Sequence, residues 1–194
     1  MGRRSDHSRD ELEELILAAG EAHLAEAGFA GFSARAVAKR VGYSIGTIYN
    51  LFGSYDRLVV AINARTLRAW TRFMRARLDV QPDDRLAALV SGYFDFAAEN
   101  RNRWMALYDH RVASGFAMPD WFLQAFEDLI TLLREEVATV RPDVSDAEAR
   151  ILTGSCAAIA HGHCMFALNE TYTLFGEWNP QQAALLRIRE ALAR

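Results

Sequence analysis

Two short helical segments, joined by the turn 42–44 (Gly-Tyr-Ser), are the feature that most limits how this chain can fold. Ser33 and Ser44 stand where a side-chain oxygen can accept a backbone N–H of a first helical turn. They predict helices over 34–41 and 45–51. Helices this short are not stable alone in water. Two of them across a turn that contains glycine form a helix-turn-helix, which needs further helices behind it.

The apolar residues of both segments recur at helical spacing, so one face of each helix can pack against the other. Ala38 is small enough to let the two helices cross closely. The residues expected to fill this contact are Val37, Ala38, Val41, Ile48 and Phe52. The outward positions of the second segment, which stay free to enter a groove, are Ile45, Thr47 and Asn50.

The helical period recurs along almost the whole chain, and clusters of strand-forming residues are few. Glycines, prolines and capping residues divide the chain into about nine helices, so we expect an all-α fold. The expected domains are a small front domain at 1–54 and a larger rear domain at 55–194. The expected helices are 9–27 (closed by Gly28), 34–41, 45–51, 55–78, 82–100 (opened by Pro82-Asp83-Asp84), 103–113, 118–140, 145–169 and 179–194.

The composition is that of an ordinary soluble globular protein, with 51% hydrophobic and 24% charged residues. We expect no segment to approach the roughly 18–20 continuous apolar residues of a membrane span. The first ten residues are polar and lack the apolar stretch of a secretory signal. These observations predict a cytoplasmic protein without a membrane partner.

The two cysteines, Cys156 and Cys164, lie eight residues apart in one predicted helix. Their α-carbons are then ~12 Å apart, which is too far for a disulfide bond. We interpret them as buried free thiols. His161 shares a helix face with Cys164, but His163 points elsewhere, and the usual spacings of metal ligands are absent. An enzyme built on Cys/His pairs is the alternative, yet no nucleophile, base and orienting residue form a recognisable trio. We therefore expect no catalytic residue, no metal and no cofactor.

The front segment carries a longer pattern, Ser33-x-Arg-x-Val-Ala-x-x-Val-Gly-Tyr-Ser-x-Gly-Thr-Ile-Tyr-x-x-Phe. It is preceded by Ile16-Leu-Ala-Ala and by Glu26-Ala-Gly-Phe29. Together these residues closely resemble the DNA-binding domain of the TetR family of bacterial repressors. The resemblance covers roughly 9–62, about a quarter of the chain, and total length and helix order fit as well.

The resemblance implies a helix-turn-helix DNA-binding domain in front and a ligand-binding and dimerisation domain behind. It implies a ligand-responsive repressor that binds a palindromic operator in double-stranded DNA as a homodimer. A small, largely apolar or aromatic inducer would release it. An activator, or a regulator that needs a co-repressor, remains open, and so does a helical small-molecule-binding module that has lost its DNA affinity.

The resemblance also assigns roles to individual residues of the front domain. Arg35 aligns with a position that reaches a base edge, and arginine can bond guanine through two hydrogen bonds. Ile45 could contact a thymine methyl group, while packing on the first helix is its alternative. A solvent-exposed surface residue is the alternative for Arg35, and a core aromatic is the alternative for Tyr49. The full set of expected DNA-binding residues is Ser33, Arg35, Tyr43, Ser44, Ile45, Thr47, Tyr49 and Asn50.

One position departs from the family pattern. Tyr55 stands where the family usually has a lysine that touches phosphate. A tyrosine can donate a hydrogen bond to phosphate but brings no charge. The first 77 residues carry 12 basic and 8 acidic side chains, against 10 and 17 in the remainder, so the front of the chain is still the more basic part.

Aromatic and sulfur-containing residues are dense in the rear part. Most of them are expected in the core, but apolar pockets with a few polar groups are also what small-molecule sites look like. The predicted ligand-binding residues are Trp70, Trp104, Tyr108, Phe116, Met118, Trp121 and Phe122.

A row of small residues near position 160 permits close helix–helix approach. By resemblance, the last two helices form the dimer, and packing within one subunit is the alternative. The predicted dimer-interface residues are Gly154, Ala157, Ala158, His161 and Gly162.

Overall fold

The computed structural model describes residues 7–81, 83–176 and 179–193. Within these ranges it contains nine α-helices, a short 3-10 helix at Thr171–Phe175 and no strand. The predicted all-α class is therefore confirmed. The helices are α1 (Arg9–Gly31), α2 (Ala34–Val41), α3 (Ile45–Phe52), α4 (Tyr55–Val80), α5 (Arg85–Glu99), α6 (Arg101–Asp109), α7 (Asp120–Val140), α8 (Asp146–Leu168) and α9 (Pro180–Leu192).

The helix starts follow the predicted capping residues. Ser33 accepts the Ala36 N–H before α2, and Ser145 forms a reciprocal capping box with Glu148 before α8. Asn179 accepts a backbone N–H before α9, whose first residue is a proline. These oxygens satisfy N–H groups that a helix cannot pair within itself. Of the predicted start at 82–84, Pro82 lies outside the described residues, and the carboxylate of Asp84 accepts the Ala87 N–H.

The helix ends were predicted less well. Gly28 does adopt a positive φ of 67°, but the chain kinks there and returns to helix as far as Gly31. α6 ends at Asp109, four residues before the predicted end. The 3-10 helix after α8 was not predicted. Ends depend on tertiary packing, whereas starts are marked by a local capping side chain.

The chain forms two compact units that differ from the predicted domains at 1–54 and 55–194. The first unit comprises the described residues up to Thr66 together with Asn100–Phe122. The second comprises Leu67–Glu99 and the described residues from Leu123 onward. α4 therefore supplies its first half to one unit and its second half to the other. α6 joins the first unit because it contacts α1, far away in the chain.

The core of the first unit is built from α1 to α3 and the start of α4. Ile16, Leu24, Val37 and Ile48 are almost completely buried in it. Gly20 lets α4 approach α1 closely, since a Cβ atom there would lie 2.6 Å from Cδ1 of Ile62. The cost of a glycine inside α1 is thus offset by close packing.

The core of the second unit centres on the side chain of Trp70. Its ring stacks on Phe96 at 5.4 Å and meets the edge of Tyr93 at 4.9 Å. The buried carboxylate of Glu136 is paired with Arg85 through two hydrogen bonds. That pairing makes the burial of a carboxylate tolerable in an otherwise apolar interior.

The expectation that no segment would approach a membrane span needs correction for α8. By length and composition alone this helix could cross a bilayer, because residues 151–168 include no Asp, Glu, Lys or Arg. Only 22% of its most apolar window is buried in the unit. One such helix is weak support for a membrane protein, so its exposed apolar face needs another explanation.

Candidate DNA-binding surface and ligand cavity

The turn between α2 and α3 has the geometry that a helix-turn-helix requires. Gly42 closes α2 in the left-handed conformation, with φ of 76°, which glycine adopts without strain. The Tyr43 N–H then bonds the carbonyl of Ala38 at 3.0 Å. Ser44 starts α3 by accepting the Thr47 N–H at 3.1 Å. Three consecutive residues therefore end one helix and begin the next.

The outer face of α2 and α3 is exposed and polar. Arg35, Ser44 and Asn50 are exposed, whereas Tyr43 and Thr47 are half-buried. The hydroxyls of Ser44 and Thr47 lie 3.0 Å apart, so they form one polar corner at the N-terminal end of α3. This is the end of a recognition helix that enters a major groove.

Three predicted DNA-contact residues differ in how far they are buried. Ser33 caps α2 and is half-buried. Ile45 is partly buried and packs against the core of the first unit. Tyr49 is not a core aromatic, since 39% of it is exposed. All eight predicted residues lie on α2, on α3, at their N-caps or in the turn between them, while their contact with DNA stays a prediction.

The charges on this surface are only partly neutralised within the protein. Arg40 is committed to a bidentate ion pair with Glu26 of α1, which ties α2 to α1. Lys39 of α2 and Arg57 near the start of α4 are exposed, and neither is among the predicted contact residues. Their position on the polar side of an amphipathic pattern was the signal that could have found them.

The side chain of Tyr55 is more buried than we would expect for a residue that contacts phosphate. Its ring lies 6.0 Å from that of Phe32, and it packs against the core of the first unit. Burial raises the pKa of its hydroxyl, so the side chain stays neutral. The residue that replaces the usual lysine therefore contributes to the core.

The seven predicted ligand-binding residues do not form one cluster. Trp70 lies in the core of the second unit, whereas the other six lie in the first. Trp104 is completely buried beside the half-exposed Tyr108. Trp121 is 40% exposed, and the remaining three predicted residues, Phe116, Met118 and Phe122, are half-buried.

A cavity in the second unit is lined by a different set of residues. The cavity and the open solvent at its mouth together occupy about 460 Å³. The second half of α4, together with α5, α7, α8 and α9, contributes Met74, Tyr93, Val137, Ala157 and Ile188, among others. None of the seven predicted residues lines it. Apolar density in the sequence does not reveal which aromatic side chains fill a core and which leave space.

The cavity wall is almost entirely apolar. The Tyr93 hydroxyl is hydrogen-bonded to Nδ1 of His161 at 3.0 Å, and the Thr153 hydroxyl donates to the Ala149 carbonyl at 2.7 Å. Burial raises the pKa of the Cys156 thiol, which therefore stays protonated. No charged residue is among those that line the cavity. A ligand in this space would meet hydrocarbon and sulfur.

The predicted dimer residues of α8 divide between two faces. Gly154, Ala158 and Gly162 are exposed, and a Cβ atom built on either glycine meets nothing within 4 Å. Ala157 lines the cavity and His161 bonds Tyr93, so both face the interior of their unit. The outer row continues into exposed apolar side chains, namely Ile151, Phe166 and, on α9, Leu186.

The cysteines are both free thiols, as predicted. Cys164 is buried, which raises the pKa of its thiol to about 12, and Cys156 is half-buried. Among the residues that the structure describes, no group of three or more His, Cys, Asp or Glu side chains could hold a metal ion.

Comparison with known families matches both parts of the chain. Residues 16–62 match the model of bacterial regulatory proteins of the tetR family. Residues 86–188 match the C-terminal domain of tetracyclin repressor-like proteins, and this match alone covers more than half of the chain.

Individual proteins show the same relationship. The HTH-type transcriptional regulator Rv1816 of Mycobacterium tuberculosis is 32% identical over 125 residues, which are 62% of this chain. The match spans about half, 53%, of the length of that relative. A Rhodococcus sp. RHA1 protein of unknown function shares the fold with a TM-score of 0.74 at 20% identity, over 98% of this chain and 97% of its own.

A further solved structure, the multidrug binding protein EbrR complexed with imidazole, has a TM-score of 0.64 at 17% identity, over 96% of both chains. At such low identity these structures show the fold alone. The two family matches carry the assignment, and they agree with the helix-turn-helix at α2–α3 and with the helical second unit. The chain belongs to the TetR family of bacterial regulatory proteins.

Proposed function

We propose that this protein is a ligand-responsive transcriptional regulator, a repressor, that binds a palindromic operator in double-stranded DNA as a homodimer in the bacterial cytoplasm. The observation that carries the proposal is the outer face of α2 and α3. Its apolar side is buried in the first unit, while Arg35, Ser44 and Asn50 remain in solvent. A face of this size and polarity fits a major groove.

The protein would make two kinds of contact with DNA, one to the bases and one to the phosphates. Arg35 is the candidate for base readout, because its guanidinium is exposed and can bond the O6 and N7 atoms of guanine. Tyr49 and Asn50 are candidates for phosphate contacts, which orient the protein without reading sequence. Backbone N–H groups at the start of α2 add a further phosphate site.

The test uses a duplex that the wild-type protein enriches from a random DNA pool. We expect Arg35→Ala to weaken binding by roughly 1–3 kcal/mol and to relax preference at one base pair of each half-site. Tyr49→Ala should weaken binding to all sequences alike. Arg75→Ala removes an exposed arginine of α4 in the second unit and serves as the matched control.

Affinity would be measured by fluorescence anisotropy at fixed ionic strength, because phosphate contacts make it strongly salt-dependent. Unchanged binding in both Arg35→Ala and Tyr49→Ala would exclude α2 and α3 as the DNA reader. Failure of the wild-type protein to enrich any duplex from the pool would instead favour the second candidate, a small-molecule-binding module without DNA affinity. The neutral, half-buried Tyr55 at the usual lysine position is the observation that favours it.

The exposed face of α8 supports the homodimer. Gly154, Ala158 and Gly162 leave room for a second helix to approach, and Ile151 and Phe166 extend an apolar strip along the same helix. Burial of this strip against a second copy would remove it from water. A two-fold dimer would present two recognition helices and so require two half-sites of opposite orientation.

The cavity in the second unit is the candidate inducer site. Its apolar wall favours a small uncharged molecule, because a charge placed there would lose its hydration without gaining a partner. The related fold of EbrR holds imidazole in its solved structure. α4 runs through both units, so its chain offers a covalent route from the cavity to the DNA-binding helices.

Ligand chemistry can be tested with three probes of equal chain length: 1-octanol, octanoate and octylamine. We expect 1-octanol to raise the melting temperature and the two charged probes to have little effect. Ala157→Leu, which fills the cavity, should abolish the rise, whereas Ala98→Leu on the exposed surface of α5 should not. Equal stabilisation by all three probes would contradict an uncharged ligand.

A further inference from the structure

His23 of α1 lies directly behind the helix-turn-helix and was not anticipated as a functional residue. Its Nε2 atom accepts the backbone N–H of Ser33 at 3.3 Å. Ser33 is the residue that caps α2, two positions before Arg35. The imidazole ring also lies 5.5 Å from the ring of Phe32. The histidine therefore holds the start of α2 by a hydrogen bond and by ring contact.

The hydrogen bond fixes the protonation state of the ring. An Nε2 atom that accepts a hydrogen bond carries no proton, so the proton of the neutral ring is on Nδ1. That Nδ1 atom is buried and has no hydrogen-bond partner among the described residues. A second proton would go to Nε2 and would face the Ser33 N–H, turning an attraction into a repulsion between two donors.

The surroundings of the ring favour its neutral form. Burial is the largest cause of the lowered pKa of His23. The positive charge of the nearby Arg40 of α2 lowers this pKa further, whereas the negative charge of Glu26 of α1 raises it. Arg40 and Glu26 are themselves joined in an ion pair. From α4, Tyr55 reaches the same Phe32 ring and is neutral because burial raises the pKa of its hydroxyl.

We propose that His23 is a positioning residue for DNA binding, whose neutral ring holds the N-terminal end of α2 and whose protonation releases it. This inference rests on the proposed function. Acid should then weaken DNA binding, because the first turn of α2 loses its anchor. Direct contact between a protonated His23 and phosphate would have the opposite sign, since added positive charge strengthens binding to a polyanion.

The experiment compares the affinity of three proteins for the enriched duplex at about pH 7.5 and about pH 5.5, at constant ionic strength. The wild type should lose affinity on acidification, by up to about tenfold when the ring is fully protonated, since each subunit of a dimer loses one hydrogen bond. His23→Gln keeps an acceptor that does not titrate, so its affinity should change by less than about twofold. His23→Phe keeps the ring contact but not the acceptor, so it should bind about tenfold more weakly already at about pH 7.5.

Two further histidines serve as controls. His7 is exposed, and its Nδ1 atom lies 3.5 Å from the Tyr43 hydroxyl, so the comparison is repeated in a His7→Gln background. His163→Gln removes a histidine of α8 whose pKa is also lowered by burial, and it should keep the wild-type pH profile. Circular dichroism at both pH values checks that each variant is folded.

A purely structural role for His23 would lower stability in both variants without rescue by glutamine. The inference is overturned if His23→Gln loses affinity with acid as the wild type does, or if acid strengthens binding in the His7→Gln background. Failure of the wild type to enrich any duplex would instead remove the proposed function, and this inference with it.

Discussion

Tyr55 shows how one side chain can couple packing to the charge of a binding surface. The family usually places a lysine at this position, whereas here a neutral ring packs against Phe32 and the core of the first unit. The exposed Lys39 and Arg57 supply positive charge nearby in sequence. At this scale the sequence predicted the location of each DNA-contact candidate. It gave the inward packing of Ile45 only as an alternative and did not predict that of Tyr55, because burial depends on partners from other helices.

Replacing Tyr55 with lysine should lower the stability of the fold and raise the affinity for DNA. Tyr55→Lys removes a ring contact and should lower the free energy of unfolding by roughly 1–3 kcal/mol. It should also add one phosphate contact per subunit, which steepens the dependence of log affinity on log salt by about 0.9 for each. Urea unfolding and salt-dependent anisotropy measure the two effects. An unchanged salt slope would show that position 55 does not reach phosphate, and Tyr55→Phe serves as the neutral control.

Most helices begin at a polar side chain that accepts a backbone N–H of the first turn, and this is why the sequence predicted starts better than ends. Ser44 and Ser145 each accept the backbone N–H three residues ahead. The end of α1 is different, because Asn102 of α6 donates to the Ala25 carbonyl at the protein surface. That hydrogen bond joins residues 77 positions apart, so local sequence rules cannot anticipate it.

The two serine caps permit a matched comparison. Ser44→Ala and Ser145→Ala should each lower the free energy of unfolding by about 1 kcal/mol, since each leaves one helical N–H unpaired. Only Ser44→Ala should weaken DNA binding, because α3 is the proposed recognition helix and α8 has no proposed contact with DNA. A similar loss of DNA affinity in Ser145→Ala would mean that the effect comes from general destabilisation.

At the scale of the whole molecule, two apolar features remain unexplained by the fold of a single chain. One is the cavity in the second unit, and the other is the exposed strip of α8 around Ala158. The row of small residues in the sequence indicated the strip on α8, but no sequence pattern indicated the cavity. A cavity is the space left after packing, so it depends on how five helices meet and not on any residue pattern.

The strip on α8 should be the dimer interface. Ala158→Arg places a charge on it, and an unpaired charge buried at a dimer interface costs several kcal/mol. We expect sedimentation to show a monomer, with dimer affinity reduced by at least about 100-fold. Ala138→Arg, on the exposed surface of α7, should remain dimeric. If Ala158→Arg remained dimeric, the dimer interface would have to lie on another surface.

The central claim is that α2 and α3 read DNA sequence, and the specificity ratio of the wild-type protein tests it most directly. Affinity for the enriched duplex is compared with affinity for a shuffled duplex of the same length and composition, at the same salt. We predict that the enriched duplex binds at least about 10³-fold more tightly and contains two inverted half-sites. Equal affinity for the two duplexes would contradict the account.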